Sequence, residues 1–316
     1  MDKKTPFHPF YKDYNAKLIS FSGYEMPIQF KGINFEHNCV RNNVGVFDVS
    51  HMAQILINGT GAFDLIQKIT TNDVSKLVNG KVQYSCMLND NGGIIDDLLV
   101  YRFDIDSYML VVNAANTKKD FDWICKNNLF DAKILNVTKE KGLLAVQGPN
   151  AITILQKLTN IDLNSIPYYC FKIADFAGCK DVIISNTGYT GSGGFEIYLD
   201  KKFATVIWTS LFQSNNTLEP IGLAARDTLR LEMGYCLYGN DINDLRSPIE
   251  AGLSWIVDKK KDFIGKPIVD QHLKLGVKQK RVGFIMQERG VPRKNYDILN
   301  KYGDCIGVVT SGTLSP

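Results

Sequence analysis

The sequence predicts an α+β fold, and three observations lead to it. The chain has 316 residues, of which 45% are hydrophobic and 22% charged, enough for a large buried core. Strand-like and helix-like stretches alternate without the regular spacing of βαβ units. After Pro248 the pattern changes to short strand-like runs broken by glycine, in DFIGK, VGF and CIGVVTSG. That change predicts a separate small β-domain at the C-terminal end.

Hydrophobic periodicity and turn residues predict the elements in chain order. Thr5 and Pro6 favour a helix start, and the sequence NDNGG predicts a hairpin turn. Thr117 is placed to cap a helix that runs to Cys125. Helices are predicted over 6–16, 34–42, 60–70 and 117–125 and over most of 202–236, and strands over 17–30, 46–57, 82–88, 94–102 and 107–112, with strand–helix–strand material continuing to residue 200.

Charge, cysteine and histidine usage exclude several classes of protein. The formal net charge is only +3 and the basic residues are spread along the chain, which is not typical of nucleic-acid binding. Seven scattered cysteines without a CxxC pair predict a reducing compartment, and neither they nor the four histidines have metal-ligand spacing. No apolar run is long enough for a membrane span, and no signal or transit pattern opens the sequence. We therefore expect a cytoplasmic protein without a metal site.

The stretch GGIIDDLLVY, residues 92–101, carries two consecutive acids inside an apolar strand. Alternation predicts one face with Ile94, Asp96, Leu98 and Val100, and the other with Ile95, Asp97, Leu99 and Tyr101. Because both faces are apolar, at least one carboxylate is expected to be partly dehydrated and so to need donors, a cation or its proton. Such a group can act as a base or stabilise a positive centre. The same pattern is also typical of a hairpin whose acids accept backbone N–H groups.

The segment GYTGSGGFE, residues 188–196, lies between two predicted strands. Its glycines allow the backbone to approach a ligand or another chain closely. It opens a strand and not a phosphate-binding helix, so it is neither a Walker loop nor a dinucleotide fingerprint. Phe195, Ile197 and Leu199 are predicted to share one strand face, which leaves Glu196 on the other. Glu196 could accept two hydrogen bonds from a heterocycle, or simply face solvent.

The segment GLAARDTLRLEMGY, residues 222–235, has the apolar spacing of a helix, with Ala225, Leu229, Met233 and Cys236 forming the stripe. Arg226 and Arg230 are one turn apart and repel each other unless a negative group lies near them. Asp227 can pair with Arg230, which leaves Arg226 free to meet a ligand carboxylate or carbonyl. A solvated charged face is the alternative. His51, in FDVSHM, lacks a nucleophile partner and is given no chemical role.

Taken together, these segments closely resemble the T protein (aminomethyltransferase) family of the glycine cleavage system. The resemblance covers the whole chain, and the matching stretches occur in the family's order. They are GYEMPIQF, FDVSHM, GGIIDDLLVY, VVNAAN, VQGP, GYTGSGGFE, GLAARDTLRLE, LYGNDI, PIEAGL, DFIGK and TSGTLSP.

The resemblance implies a three-lobed α+β fold around a central folate cavity, with a C-terminal β-barrel lobe. It implies a central folate-binding domain formed by residues 1–50 and 138–245, a second α+β domain over 51–137, and the barrel over 246–316. Asp97 matches the family's catalytic aspartate. The folate-binding residues that the resemblance implies are Glu196, Arg226, Tyr189, Tyr84, Tyr168, Met52 and, as a weaker match, Asn113.

The implied reaction transfers the methylene carbon of an aminomethyl group, carried by the lipoylated H protein, to tetrahydrofolate, and releases ammonia. No metal, nucleic acid or membrane takes part. The alternatives within this fold are a folate-dependent demethylase and a folate-binding protein without catalysis. Two features depart from the family. Ser192 and Gly193 replace an acidic pair in the glycine loop. Family members also continue past TSGTLSP with an arginine credited with ligand binding, so we expect a C-terminal truncation and an incomplete barrel.

Overall fold

The computed structural model describes residues 2–213 and 217–316. The strands are β1 (Lys17–Phe21), β2 (Tyr24–Gln29), β3 (Gly45–Asp48), β4 (Ala53–Asn58), β5 (Val82–Leu88), β6 (Ile94–Asp104), β7 (Ser107–Val112), β8 (Lys133–Asn136), β9 (Lys141–Gln147), β10 (Phe171–Phe176), β11 (Cys179–Ser185), β12 (Gly194–Asp200), β13 (Glu219–Pro220), β14 (Asp297–Leu299) and β15 (Cys305–Val308). The helices are α1 (Ile33–Asn42), α2 (Ala62–Ile69), α3 (Thr117–Lys126), α4 (Ala151–Leu155), α5 (Ala204–Gln213), α6 (Leu223–Glu232) and α7 (Lys266–Leu275).

Two large sheets organise the chain. A six-stranded sheet has the order β10-β11-β12-β9-β3-β13, in which only the short β13 runs parallel to its neighbour. A five-stranded sheet, with the order β5-β6-β7-β4-β8, is antiparallel throughout. The strands β1 and β2 form a separate hairpin. Sheets that are antiparallel except at β13, without repeated βαβ units, confirm the predicted α+β class. The domain limits given above stay a prediction.

The apolar side chains form three main cores around these sheets. One lies between the six-stranded sheet and helices α4 and α5, and a second between the five-stranded sheet and helices α2 and α3. A third joins the two sheets, with Phe47 and Tyr198 from one packing with Tyr101 and Met109 from the other. Burial on both faces explains why these strands are apolar along most of their length.

Strand β6 has the predicted faces except at its start. Leu98 and Val100 lie in the core beside α2 and α3, whereas Leu99 and Tyr101 lie in the core between the sheets, as alternation predicts. Ile95, however, packs with Leu98 and Val100. The reason is a bulge: Met87 pairs with Asp96 and Leu88 pairs with Ile94, so Ile95 is an extra residue.

Two predicted helix starts differ in the structure. The predicted N-terminal helix is a 3₁₀ helix over His8–Tyr14. Thr117 is the first residue of α3 and not its cap, and its hydroxyl donates to the carbonyl of Ala114. Asn116 occupies the cap position, but its side-chain amide donates to the carboxylate of Asp96 at 2.7 Å instead. The start of α3 is therefore tied to the acid pair in β6.

The C-terminal prediction is wrong in two segments. DFIGK is not a strand: it leads into α7, where Gly265 adopts a left-handed conformation and Pro267 occupies the first turn. VGF, residues 282–284, has no strand partner and remains irregular. Only β14 and β15 pair, as a two-stranded hairpin, so the described part of residues 246–316 contains no closed barrel. In residues 2–213 and 217–316, no helix combines the length and the apolar character that crossing a bilayer requires.

Gly93 sets how closely the β5–β6 turn approaches the segment after α6. A Cβ atom at Gly93 would lie 1.7 Å from the carbonyl oxygen of Asp244. We expect Gly93→Ala to lower the free energy of unfolding by about 1–3 kcal/mol, because backbone must move to relieve the overlap. Denaturant unfolding measures the effect. The control is Gly283→Ala, where nothing lies within 4 Å of the added Cβ, and an equal loss in both variants would contradict the prediction.

Candidate active site

All of the predicted site residues line one cavity of about 1310 Å³. Strands β5, β6 and β12 form part of its wall, helix α6 another part, and the β1–β2 hairpin and the C-terminal segment complete it. The predicted residues that line it are Met52, Tyr84, Asp97, Asn113, Tyr168, Tyr189, Glu196 and Arg226. Residues that are far apart in the sequence therefore face a common space of ligand size.

Asp97 presents a carboxylate to this cavity from the central part of β6. The hydroxyl of Tyr84 donates to Oδ2 at 2.8 Å, and the side-chain amide of Asn113 donates to Oδ1 at 2.8 Å. Burial, together with the charge of Asp96, raises the pKa of Asp97 to about 7. The two donors oppose that rise because they favour the ionised form. Asp97 is therefore a carboxylate whose charge can change near neutral pH.

Asn113 connects the two consecutive aspartates. Its Nδ2 donates to Oδ1 of Asp97 and to Oδ1 of Asp96, each at 2.8 Å, and its backbone N–H donates to Oδ2 of Asp96 at 2.9 Å. Asn113 lies close to both because it directly follows β7, whose last residue, Val112, pairs with Leu98 of β6. Asp96 itself is fully buried on the other face of β6. Asn113 was expected only as a folate contact, and its bridging position is not visible in the sequence.

Glu196 lies on the face of β12 that the alternation predicts. Phe195, Ile197 and Leu199 are buried in the core on the opposite face. Gly194 allows this placement, because it has φ +120° and a Cβ there would lie 2.2 Å from a backbone oxygen of β9.

A network of hydroxyl groups holds one oxygen of Glu196. Thr187 donates to Oε2 at 2.6 Å and Tyr198 donates to it at 3.2 Å. The hydroxyl of Tyr101 lies 2.8 Å from that of Tyr198 and 3.1 Å from that of Ser185. Among the described residues nothing donates to Oε1, so this oxygen is left to accept from a molecule in the cavity.

The two arginines of α6 divide as the sequence predicts. Arg230 is buried and donates to Asp227 through Nε and to Asp241 through a terminal nitrogen, both at 2.8 Å. The guanidinium of Arg226 faces the cavity and lies 4.6 Å from the ring centre of Tyr189. In the part of the chain that is described, its side chain donates no hydrogen bond. The expected stripe is shorter than predicted, because α6 ends at Glu232.

The remaining predicted residues form walls of the cavity. Tyr189 donates its hydroxyl to the carbonyl of Cys236 and stacks on Tyr235 with ring centres 5.7 Å apart. Tyr168 is 63% exposed, which places it at the mouth of the cavity. Met52 contributes an apolar side chain from the turn before β4.

His51 lines the cavity but had been given no role. It is buried, and its Nδ1 has no hydrogen-bond partner among the described residues. Burial, and then the charge of Arg226, lowers the pKa of His51 to about 3, so the ring is neutral. Its ring packs edge-on to that of Phe21 at 5.5 Å. Only its position beside Met52 in the sequence could have pointed to it.

The arrangement suits a mixed polar and aromatic ligand. Among the described residues the cavity offers an unpartnered carboxylate oxygen on Glu196, an unpartnered guanidinium on Arg226 and aromatic walls, which fit a ligand with a heterocycle and with carbonyl or carboxylate groups. The third charged group, Asp97, differs from these two because Tyr84 and Asn113 already donate hydrogen bonds to it. Within residues 2–213 and 217–316, no three His, Cys, Asp or Glu side chains are grouped so that they could hold a metal ion.

Comparison with known proteins shows which family the chain belongs to. Residues 7–261 match the family described as the GCVT N-terminal domain. Proteins named aminomethyltransferase from Flavobacterium psychrophilum and Bacteroides thetaiotaomicron are each 52% identical, over 99% of this chain and 88% of their own length. The crystal structure of the glycine cleavage system aminomethyltransferase T from Bartonella henselae is 34% identical and superposes with a TM-score of 0.93, covering 100% of this chain and 87% of that one. The chain therefore belongs to the glycine cleavage T protein family, the aminomethyltransferases, as its motifs predicted.

Proposed function

We propose that this protein transfers the methylene carbon of the aminomethyl group on lipoylated H protein to tetrahydrofolate and releases ammonia. One observation carries the proposal: the Asp97 carboxylate, held by Tyr84 and Asn113, faces the same cavity as the Glu196 carboxylate and the Arg226 guanidinium. Membership of the aminomethyltransferase family supports it. We place the reaction in the cytoplasm, as the composition predicts.

Binding of the folate falls to Glu196 and Arg226 in this proposal. Glu196 uses Oε1 to accept from the amino edge of the pterin, since its Oε2 is already occupied by Thr187 and Tyr198. Arg226 donates to a folate carbonyl or carboxylate, while its guanidinium lies over the ring of Tyr189. Because neither Oε1 of Glu196 nor the guanidinium of Arg226 has a hydrogen-bond partner among the described residues, the ligand displaces no hydrogen bond of theirs when it binds.

Asp97 supplies the chemistry of the transfer. In the reaction the carbon exchanges its bonds to sulfur and nitrogen on the donor for bonds to two folate nitrogens, and the protons lost there pass to the thiol and to ammonia. Ionised Asp97 orients an N–H of the folate and stabilises the positive charge that develops beside it. Its burial strengthens this interaction and limits the access of water, which would otherwise divert the carbon as formaldehyde.

The first prediction concerns the charge of Asp97. We expect Asp97→Asn to retain tetrahydrofolate binding and to reduce aminomethyl transfer by about 10²–10⁴-fold, the usual loss when a positioned acid–base or electrostatic group is removed. Ammonia release from aminomethylated H protein, with and without tetrahydrofolate, measures the transfer. The control is Asp104→Asn, an exposed acid on the same strand, which should transfer at the wild-type rate. Activity of Asp97→Asn within a few-fold of wild type would remove Asp97 from the mechanism.

The second prediction concerns pH. Because the pKa of Asp97 is raised to about 7 and the ionised form is the active one, the rate of transfer should fall about tenfold per pH unit below that pKa. A pH–rate profile under saturating folate measures this limb. The residual rate of Asp97→Asn should not show this fall at low pH. A wild-type rate that stays constant down to about pH 5 would contradict the assignment of ionised Asp97 as the active form.

The third prediction separates binding from chemistry. Glu196→Ala and Glu196→Gln should both weaken tetrahydrofolate binding by about 10–100-fold, the range for a lost hydrogen bond to a charged group, and should change the rate at saturating folate much less. Calorimetric titration gives the dissociation constant. Glu140→Gln, at an exposed carboxylate paired with Lys201, is the matched control. A larger fall in the saturated rate than in the affinity would assign Glu196 to the chemical step instead.

A further inference from the structure

Asp120, on α3, is a buried acid that the mechanism above does not use. Its side chain is fully buried, and neither carboxyl oxygen has an N–H or O–H partner among the described residues. Its carboxyl group interacts directly with that of Asp96. A buried carboxylate without donors costs several kcal/mol, so a charged Asp120 would be strongly unfavourable here.

The hydrogen bonds around the pair decide which acid carries the proton. Asp96 accepts from the backbone N–H of Asn113 at 2.9 Å, from the side-chain amide of Asn113 at 2.8 Å and from the amide of Asn116 at 2.7 Å. These donors favour the ionised form of Asp96, whereas Asp120 has none. Two adjacent buried carboxyl groups cannot both be ionised at low cost. The single proton therefore belongs on Asp120, and burial together with the charge of Asp96 raises the pKa of Asp120 to about 11.

The other charged and titratable groups around Asp120 do not provide a counter-ion. Asp96 and Asp97 face it from β6, and Tyr238 faces it from the segment after α6. Lys119, its neighbour on α3, is the cation in this group, but its Nζ is engaged with the hydroxyl of Tyr238 at 2.5 Å and with Asp244 at 3.4 Å. Burial and the charge of Asp96 raise the pKa of Asp120 and outweigh Lys119, which lowers it, so the neutral form is favoured.

The ionised state of Asp96 in turn fixes Asn113. The amide group of Asn113 lies between two carboxylates, so both hydrogens of its Nδ2 are used, one toward Asp96 and one toward Asp97. If Asp96 carried the proton instead, it would accept more weakly from the amide and the backbone N–H of Asn113, and this orientation would be held less firmly. The location of one proton on α3 thus affects how firmly Asn113 holds Asp97, whose other donor is Tyr84.

We propose that Asp120 is a positioning residue, which keeps a proton and donates it in a hydrogen bond to Asp96, so that Asp96 stays ionised and holds Asn113 against Asp97. The effect on transfer rests on the proposed function, but the location of the proton does not. Two experiments therefore separate the two claims.

The first experiment measures stability against pH in wild type and Asp120→Asn. The folded pKa of Asp120 lies far above that of an unfolded aspartate, so wild type binds one more proton when folded, and its stability falls as pH rises. Asp120→Asn keeps an N–H donor toward Asp96 without a titrating proton. Its folded-to-unfolded ratio, relative to wild type, should rise about tenfold per pH unit between about pH 5 and about pH 9.

Asp122→Asn is the control for this measurement, because Asp122 lies on the same helix but is exposed and paired with Lys118. Its stability curve should run parallel to that of wild type. If the Asp120→Asn curve is also parallel to wild type, Asp120 does not hold the proton and the proposal is overturned.

The second experiment follows the pH–rate profile of transfer in Asp120→Asn and Asp120→Ala. Asp120→Asn should keep the acidic limb of wild type. Asp120→Ala removes one donor to Asp96 and raises the pKa of Asp96, so the charge beside Asp97 is lost over more of the pH range, and the acidic limb should move to lower pH with a reduced plateau rate. An equal shift in both variants, or no shift in Asp120→Ala, would overturn the positioning role. Absence of transfer in wild type would refute the proposed function, while the stability measurement would still decide whether the Asp96–Asp120 pair holds a proton.

Discussion

Two consecutive aspartates in a strand that is covered on both sides impose the main constraint on this fold. Alternation sends their carboxylates to opposite faces of β6, and each has to be satisfied without bulk water. Asp96 faces α3 and takes its donors from Asn113 and Asn116, at the start of that helix. Asp97 faces the cavity and takes its donors from Tyr84 and Asn113. The turn between β7 and α3 therefore has the shape that this pair of acids requires.

The same strand also connects the two sides of the cavity. Tyr101 shares a face of β6 with Asp97, and its hydroxyl enters the network that ends on Glu196. The hydroxyl of Tyr198, on β12, lies between them at 2.8 Å from Tyr101 and 3.2 Å from Glu196. Asp97 lies on β6, and Glu196 is linked to β6 through the hydroxyls of Tyr198 and Tyr101. The distance between the two carboxylates therefore depends on how the two sheets pack and not on loops. A change in the core between the sheets would therefore alter both at once.

The sequence predicted those features that depend on periodicity or on local charge. Glu196 lies on the predicted face of β12, and Asp227 pairs with Arg230 as expected. Features that depend on distant residues were not predictable. The bulge at Ile95 is visible only in the pairing of β5 with β6, and the bridge made by Asn113 requires the fold to bring two motifs together. The C-terminal strands were overpredicted, because short apolar runs become strands only where a partner strand pairs with them.

The charges in the cavity show why binding and chemistry fall to different residues. Arg226 and Oε1 of Glu196 have no hydrogen-bond partner among the described residues, so a ligand that supplies one to each gains interactions without breaking others. His51 cannot balance Arg226, because burial and that same guanidinium keep its ring neutral. Asp97 differs from these groups, because Tyr84 and Asn113 already donate to it and its pKa of about 7 lies close to neutral pH. Such a group adds little to the affinity for a neutral ligand, but it responds strongly to positive charge that develops beside it during the reaction.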